Sequence, residues 1–293
     1  MALDPNDATS PFSSDAWRTT ASESWLVNAD RLEEMLEPVH EPLLAIAALA
    51  PGERVLDVGC GRGSTARRAA MAVGPSGSVV AVDVAVRLIA AAEATPLPAD
   101  AAPIEWVVGD AQHVELPLAG VDAVISRFGV MFFDDPVDAF ANIRRATRPG
   151  GRLAVATWRP RDASPFQSAG YDAAMRVLKA EGYDVTPKDP AGGPFSFGVD
   201  KKVHEILGGA GWTDVVVHAV EMPLYFAGPG ASADDAVEVA LGMAGWQDML
   251  APFDDAAREI AAAALRDVYG RNHDGTGVRL DAAMAVLGAT NAA

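Results

Sequence analysis

Between residues 54 and 158, five short apolar runs alternate with helix-periodic segments, and this alternation leaves few architectures open. The runs are RVLDV (54–58), SVVAVD (78–83), IEWVVGD (104–110), VDAVIS (121–126) and RLAVATW (152–158). Helical patterns occupy 64–72, 86–94 and 136–147. Parallel strands need long crossovers, and helices are the usual ones. The pattern therefore predicts an α/β fold, a parallel sheet with helices on both faces. The runs are mostly apolar, as strands covered on both faces are. RPGGR (148–152) reads as a turn feeding the fifth strand.

The flanking segments are less regular. Residues 1–15 are polar and proline-bearing, and 16–50 have apolar residues at helical spacing, divided by Pro38 and Pro42. Helices are expected at 165–181, 200–212, 232–248 and 254–270, with a Pro/Gly loop, TPKDPAGGPFSFG, after the first. TDVVVHAVEMPLYF (213–226) reads as a strand. In GVRLDAAMAVLGAT the alanines favour a helix, but its place after the sixth strand favours a strand, which we expect over 280–289.

Composition excludes several function classes. With 40 Asp and Glu against 23 Lys and Arg, the net charge is -17. Such a surface repels phosphate backbones and anionic membranes, so no nucleic-acid substrate is expected. One cysteine, Cys60, allows no intramolecular disulfide and no multi-cysteine zinc site, and no metal is expected. MALDPNDATSPFSSDAW has neither the basic start nor the apolar core of a signal peptide. No run of about 18 apolar residues occurs, so no membrane span is expected, and the location is expected to be cytoplasmic.

The chemistry starts at the tip of the first strand. Gly59-Cys60-Gly61-Arg62-Gly63 puts three glycines at alternate positions between strand and helix. Glycines there cost conformational entropy, which a ligand on bare backbone can offset. In open α/β sheets, ligands sit at the carboxyl ends of strands where strand order reverses. The spacing is G-x-G-x-G; a dinucleotide fingerprint would need glycine at position 64, which is Ser64. A tight turn without a ligand would use the same residues. Asp83, ending the second strand, can accept hydrogen bonds from both hydroxyls of a ribose, or merely cap the next helix. Asp110, ending the third, can accept from an adenine amino group, or form a turn after Gly109. Three consecutive strand ends bearing glycine loop, acid and acid favour a nucleoside.

VLDVGCGRG, VVAVD, VVGDAQHVELP, DAVISRFGVMFF and RPGGRLAVATW together resemble class I S-adenosylmethionine-dependent methyltransferases, in particular the ubiquinone/menaquinone-biosynthesis-like small-molecule group. The resemblance is strong over about residues 50–160, with fainter echoes in GPFSFG and ILGGAGWTDV. It implies a Rossmann-like, doubly wound seven-stranded sheet with the last strand antiparallel. It implies S-adenosylmethionine as cofactor and S-adenosylhomocysteine as product. Gly59, Cys60 and Gly61 would line the methionine part, with Asp57 orienting the loop and Gly63 permitting close helix packing. Asp83 would hold the ribose, Val84 would pack on adenine, and Asp110 and Ala111 would read its edge. Ser126 and Arg127 would run beside the methionine and the methyl. Residues 1–50 would form a helical lid on a domain of 51–293. Within that domain, 51–160 would be the cofactor core, and the insertions 160–198 and 227–275 would build an acceptor pocket.

The expected activity is methyl transfer to carbon, oxygen or nitrogen of a small, partly aromatic metabolite of natural-product or quinone type. Trp25, Phe128, Met131, Trp158, Phe166 and Tyr171 are candidates for the wall around that acceptor, although each could equally be core. No general base stands out among His40, His113, His204, His218 and His273. Cys60 is expected to contribute its backbone rather than a nucleophilic thiol. Two alternatives remain open: a nicotinamide-dependent oxidoreductase, disfavoured by the early third glycine and the lack of a Tyr-x-x-x-Lys pair, and a non-catalytic S-adenosylmethionine-binding protein.

Overall fold

A computed structural model describes residues 13–116, 120–185 and 193–292, and among these seven strands pair into one sheet. They are β1 (Arg54–Val58), β2 (Ser78–Asp83), β3 (Ile104–Val108), β4 (Val121–Arg127), β5 (Thr147–Trp158), β6 (Thr213–Phe226) and β7 (Val278–Thr290). Expectations for residues 1–12 and 186–192 lie outside the described residues. The strand order is β3-β2-β1-β4-β5-β7-β6. The first five are parallel, and β7 runs antiparallel to both β5 and β6. Strand order reverses between β1 and β4, which opens a crevice at their carboxyl ends.

Helices cover both faces and the crevice. They are α1 (Ser14–Arg18), α2 (Thr20–Val27), α3 (Ala29–Leu36), α4 (His40–Ala47), α5 (Ser64–Val73), α6 (Val86–Glu93), α7 (Pro136–Ala146), α8 (Pro165–Ala180), α9 (Asp200–Gly209), α10 (Ala233–Gly242), α11 (Ala244–Leu250) and α12 (Asp255–Arg271). The central strands are the core: Val55, Leu56, Val124 and Ile125 have no solvent exposure. Burying one such side chain stabilises by roughly 1.5–3 kcal/mol. α5 meets the sheet through Ala66, Ala69, Ala70 and Val73, small residues that let it approach closely. α7 starts where Asp135 accepts from the Asp138 amide and Pro136 takes the first turn, which fixes where β4 hands over to helix.

Four sequence expectations need correction. The segment 16–50 is not divided at Pro42, which sits in the first turn of α4, where no amide hydrogen bond is lost. Its breaks fall at Thr19, Asn28 and the 3-10 turn Glu37–Val39 containing Pro38. RPGGR is not a free turn but part of β5, held where Gly150 N–H donates to Asn291 O at 2.7 Å and Asn291 Nδ2 donates to Thr147 O at 2.7 Å. The expected helix 232–248 is two helices, because Met243 adopts an extended conformation (ψ 139°). The third strand ends at Val108 rather than residue 110. The stretch 280–289 is strand, within β7.

Candidate active site

Leaving β1, the backbone at Gly59 (φ +68°) crosses that of Gly129 so closely that a Cβ on Gly59 would lie 2.7 Å from Gly129 Cα. Ser126 secures the crossing: its Oγ donates to Val58 O at 2.7 Å and accepts from Gly129 N at 3.2 Å. Gly61 (φ +54°) differs, because a Cβ there would meet nothing within 4 Å. Its bare backbone borders a cavity of about 620 Å³. The Gly61 amide donates to Asp83 Oδ2 and the Ala85 amide to Oδ1, both at 2.8 Å. Burial raises the Asp83 pKa against the opposing pull of these amides. Each oxygen keeps a further lone pair for a donor in the cavity that Asp83 borders.

The cavity gathers most of the candidate cofactor residues. Gly59, Cys60, Gly61, Asp83 and Val84 line it at β1 and β2, and Asp110, Ala111 and Arg127 at β3 and β4. Asp110 is already engaged, with Oδ1 accepting from the Gln112 amide at 3.0 Å and Oδ2 from Arg18 at 3.3 Å. Arg127 is held by α3, donating to Glu33 Oε2 at 2.5 Å and to Leu36 O at 3.1 Å.

Asp57, Gly63 and Ser126 do not line the cavity; they support it. A Cβ on Gly63 would strike the Trp106 ring at 2.3 Å, so glycine there lets the start of α5 pack on β3. Neither carboxylate oxygen of the fully buried Asp57 has a hydrogen-bond partner. Burial raises its pKa to about 7; Arg127 pulls it down and the Asp83 charge pushes it further up. Bare backbone at Gly61, a ribose-competent carboxylate at Asp83 and an orphaned buried acid below them fit a nucleoside with a cationic amino-acid tail.

Away from the glycine loop the walls are aromatic. Phe128 stacks on Trp158 (4.2 Å between centroids, 8° between planes), and Trp158 on Phe166 (5.7 Å). Phe226 (5.3 Å from Phe166) and Tyr269 (5.0 Å from Phe226) extend the ladder. Trp25, Phe128, Met131, Trp158, Phe166 and Tyr171 all line the cavity. Trp17, Glu33, Phe195, Phe226, Trp246 and Tyr269 line it too and were missed, because they come from dispersed segments without a motif. The one available signal was the i, i+4 apolar pair Leu265 and Tyr269 on α12.

No described histidine lines the cavity. His40 is buried and held neutral by its surroundings, burial first and the Arg127 charge second, with a pKa lowered to about 4. His113, His204, His218 and His273 are exposed. The Cys60 thiol is buried and its pKa lies well above the usual value, from burial and the Asp83 and Asp57 charges. Among the described residues, no group of His, Cys, Asp and Glu could hold a metal ion.

The chain is similar to known proteins in sequence over its core and in fold over most of its length. Residues 56–155 match a family described as methyltransferase domain. An arsenite methyltransferase of Halobacterium salinarum is 38% identical over 111 residues, covering 38% of this chain and 28% of that protein. An aklanonic acid methyltransferase of a Streptomyces species is 36% identical over 126 residues, covering 43% of this chain and 57% of that protein. The match thus spans less than two thirds of either relative. In fold, the chain is similar to phosphoethanolamine N-methyltransferase 2 of Haemonchus contortus, solved with S-adenosylhomocysteine. The TM-score is 0.54 at 16% identity, over 94% of this chain and 60% of that one. Over residues 56–155 the chain is thus similar to a methyltransferase domain, on a fold shared with a solved methyltransferase.

Proposed function

We propose that this chain transfers a methyl group from S-adenosylmethionine to a carbon, oxygen or nitrogen of a small, partly aromatic metabolite of natural-product or quinone type. One observation carries the reading: the bare Gly61 backbone and the Asp83 carboxylate border the same cavity as the Phe128–Trp158–Phe166 ladder. The natural-product class is supported by the aklanonic acid methyltransferase among the relatives. None of the described helices is long and apolar enough to cross a membrane, and a cytoplasmic location goes with the reading.

When bound, S-adenosylmethionine supplies an activated sulfonium methyl, which an acceptor takes in line as the bonding pair stays on sulfur. The chain's own residues position the partners. Gly59, Cys60 and Gly61 form the floor under the amino-acid tail, Asp83 accepts from the ribose, Val84 packs on the base, and Asp110 with Ala111 reads its edge. Of the 1–50 lid segment, Trp17, Trp25, Leu32 and Leu36 line the cavity and cover part of it. The insertions 160–198 and 227–275 supply the acceptor side through Phe166, Tyr171 and Trp246. Orientation of this kind contributes roughly 7–11 kcal/mol to such reactions. With no histidine in the cavity, the reaction relies on position rather than on an imidazole base.

Calorimetric titration tests the reading. S-adenosylmethionine and S-adenosylhomocysteine bind and NAD does not; the reverse would establish an oxidoreductase. Asp83→Ala weakens S-adenosylhomocysteine by about 1–3 kcal/mol, and unchanged affinity would refute the ribose assignment. Cofactor binding without transfer of labelled methyl to any aromatic acceptor would leave a binding protein.

A further inference from the structure

One stretch of the cavity wall carries polar groups away from the glycine loop. It is built by the 3-10 turn Arg161–Ala163, α8 and α12. The Tyr269 ring is 2% exposed, and its hydroxyl has no hydrogen-bond partner among the described residues. That hydroxyl lies against Gly170, where a Cβ would come within 3.0 Å of it. One turn before Gly170, Gln167 lines the cavity with its side-chain amide likewise unpartnered. One turn after Gln167, Tyr171 carries the Arg161 guanidinium 3.9 Å above its ring. Arg161 also lines the cavity and has no carboxylate partner among the described residues.

Most arginines in this acidic chain hold a carboxylate, among them Arg127 with Glu33, Arg152 with Glu53 and the neighbouring Arg159 with Asp200. The carboxylates that border the cavity lie elsewhere. Glu33 is held by Arg127, Asp83 by two amides, and Asp110 by Gln112 and Arg18. Asp134 is exposed, just before α7. Lys202 of α9, with no ion pair among the described residues, adds a second positive charge at the rim. Tyr269 borders the cavity, and a ligand atom that accepts from its hydroxyl adds a hydrogen bond there. A guanidinium stacked on an aromatic face keeps its in-plane donors free for a carboxylate.

We infer that the methyl acceptor is a flat aromatic carboxylate. Its rings lie on the aromatic ladder, its carboxylate meets Arg161 with Lys202 at the rim, and a ring oxygen accepts from Tyr269, with Gln167 beside it. A cationic amine is rejected, although aromatic walls alone would welcome one, because Arg161 repels it. This deepens the proposed function and rests on it.

The test uses the full chain saturated with S-adenosylhomocysteine, so the first titration checks the cofactor reading by itself; no binding there overturns both readings. With cofactor bound, three flat probes are titrated at neutral pH: 3-hydroxy-2-naphthoate, neutral 2-naphthol and cationic 2-naphthylmethylamine. The naphthoate binds about tenfold tighter than the naphthol, and the amine is weakest. Arg161→Gln abolishes the preference for the naphthoate. Tyr269→Phe, which keeps the ring, weakens both oxygen-bearing probes about fivefold. Both variants hold S-adenosylhomocysteine as the parent does, which shows that they are folded. Equal affinity for all three probes, a preference for the amine, or a naphthoate preference that survives Arg161→Gln would overturn the inference while leaving the cofactor reading intact.

Discussion

Asp57→Asn should change how stability depends on pH. The Asp57 carboxyl is wholly buried, and burial raises its pKa from 3.8 to about 7 against the pull of Arg127 and the Ala66 amide. Between those values the folded chain keeps a proton that the unfolded chain has lost. Stability from this group is therefore full below the lower value, falls as pH rises through the window, and is gone above about 7. Those two values make the contribution differ by about 2.5 kcal/mol between about pH 5 and about pH 8. Asparagine has the same shape and does not titrate, so the variant lacks this component. Asp83, raised in the same direction, stays in both proteins, and its push on Asp57 belongs to the loss that the variant lacks. Urea unfolding at both pH values measures the loss on going to high pH, and that loss should be smaller in Asp57→Asn by the stated amount. Equal losses in parent and variant would refute the reasoning, because they would mean that water or a cation reaches the carboxylate.

The two glycines of the loop should fail differently. Gly59→Ala drives a Cβ into the Gly129 backbone and costs about 2–4 kcal/mol in urea unfolding. Gly61→Ala meets open space, costs only about 1–2 kcal/mol for its left-handed backbone, and instead removes S-adenosylhomocysteine binding in calorimetry. The Cys60 thiol should not react with a disulfide reagent at mildly alkaline pH until the chain is unfolded, and Cys60→Ala should leave methyl transfer intact; rapid labelling of the native chain would contradict its burial.

How much of this was legible in sequence depends on the range of the forces. β1 and β2 fall on the apolar runs to the residue, because a buried parallel strand writes its whole length in Val, Leu and Ala. The crevice residues Gly59, Gly61, Asp83 and Asp110 follow from strand-end position alone. The polar wall does not: Tyr269 joins Arg161 and Gln167 on one cavity only because α12 packs on α8 at Gly170, a contact with no local signature. The break at Met243 was hidden for a similar reason, since apolar spacing continues on both sides of it. The RPGGR stretch looked like a turn because the Asn291 contacts that hold it in β5 come from the far end of the chain.

The place of β7 between β5 and β6 has a consequence for synthesis. A ribosome releases β6 long before the segment that joins it to the rest, so residues 213–226 must wait through the making of α10, α11 and α12 with both edges open. The parallel half, complete once β5 has emerged, can form meanwhile. The side of the crevice that rests on Phe226 and Tyr269 can close only after residues 278–290 have been made and have paired with both β5 and β6.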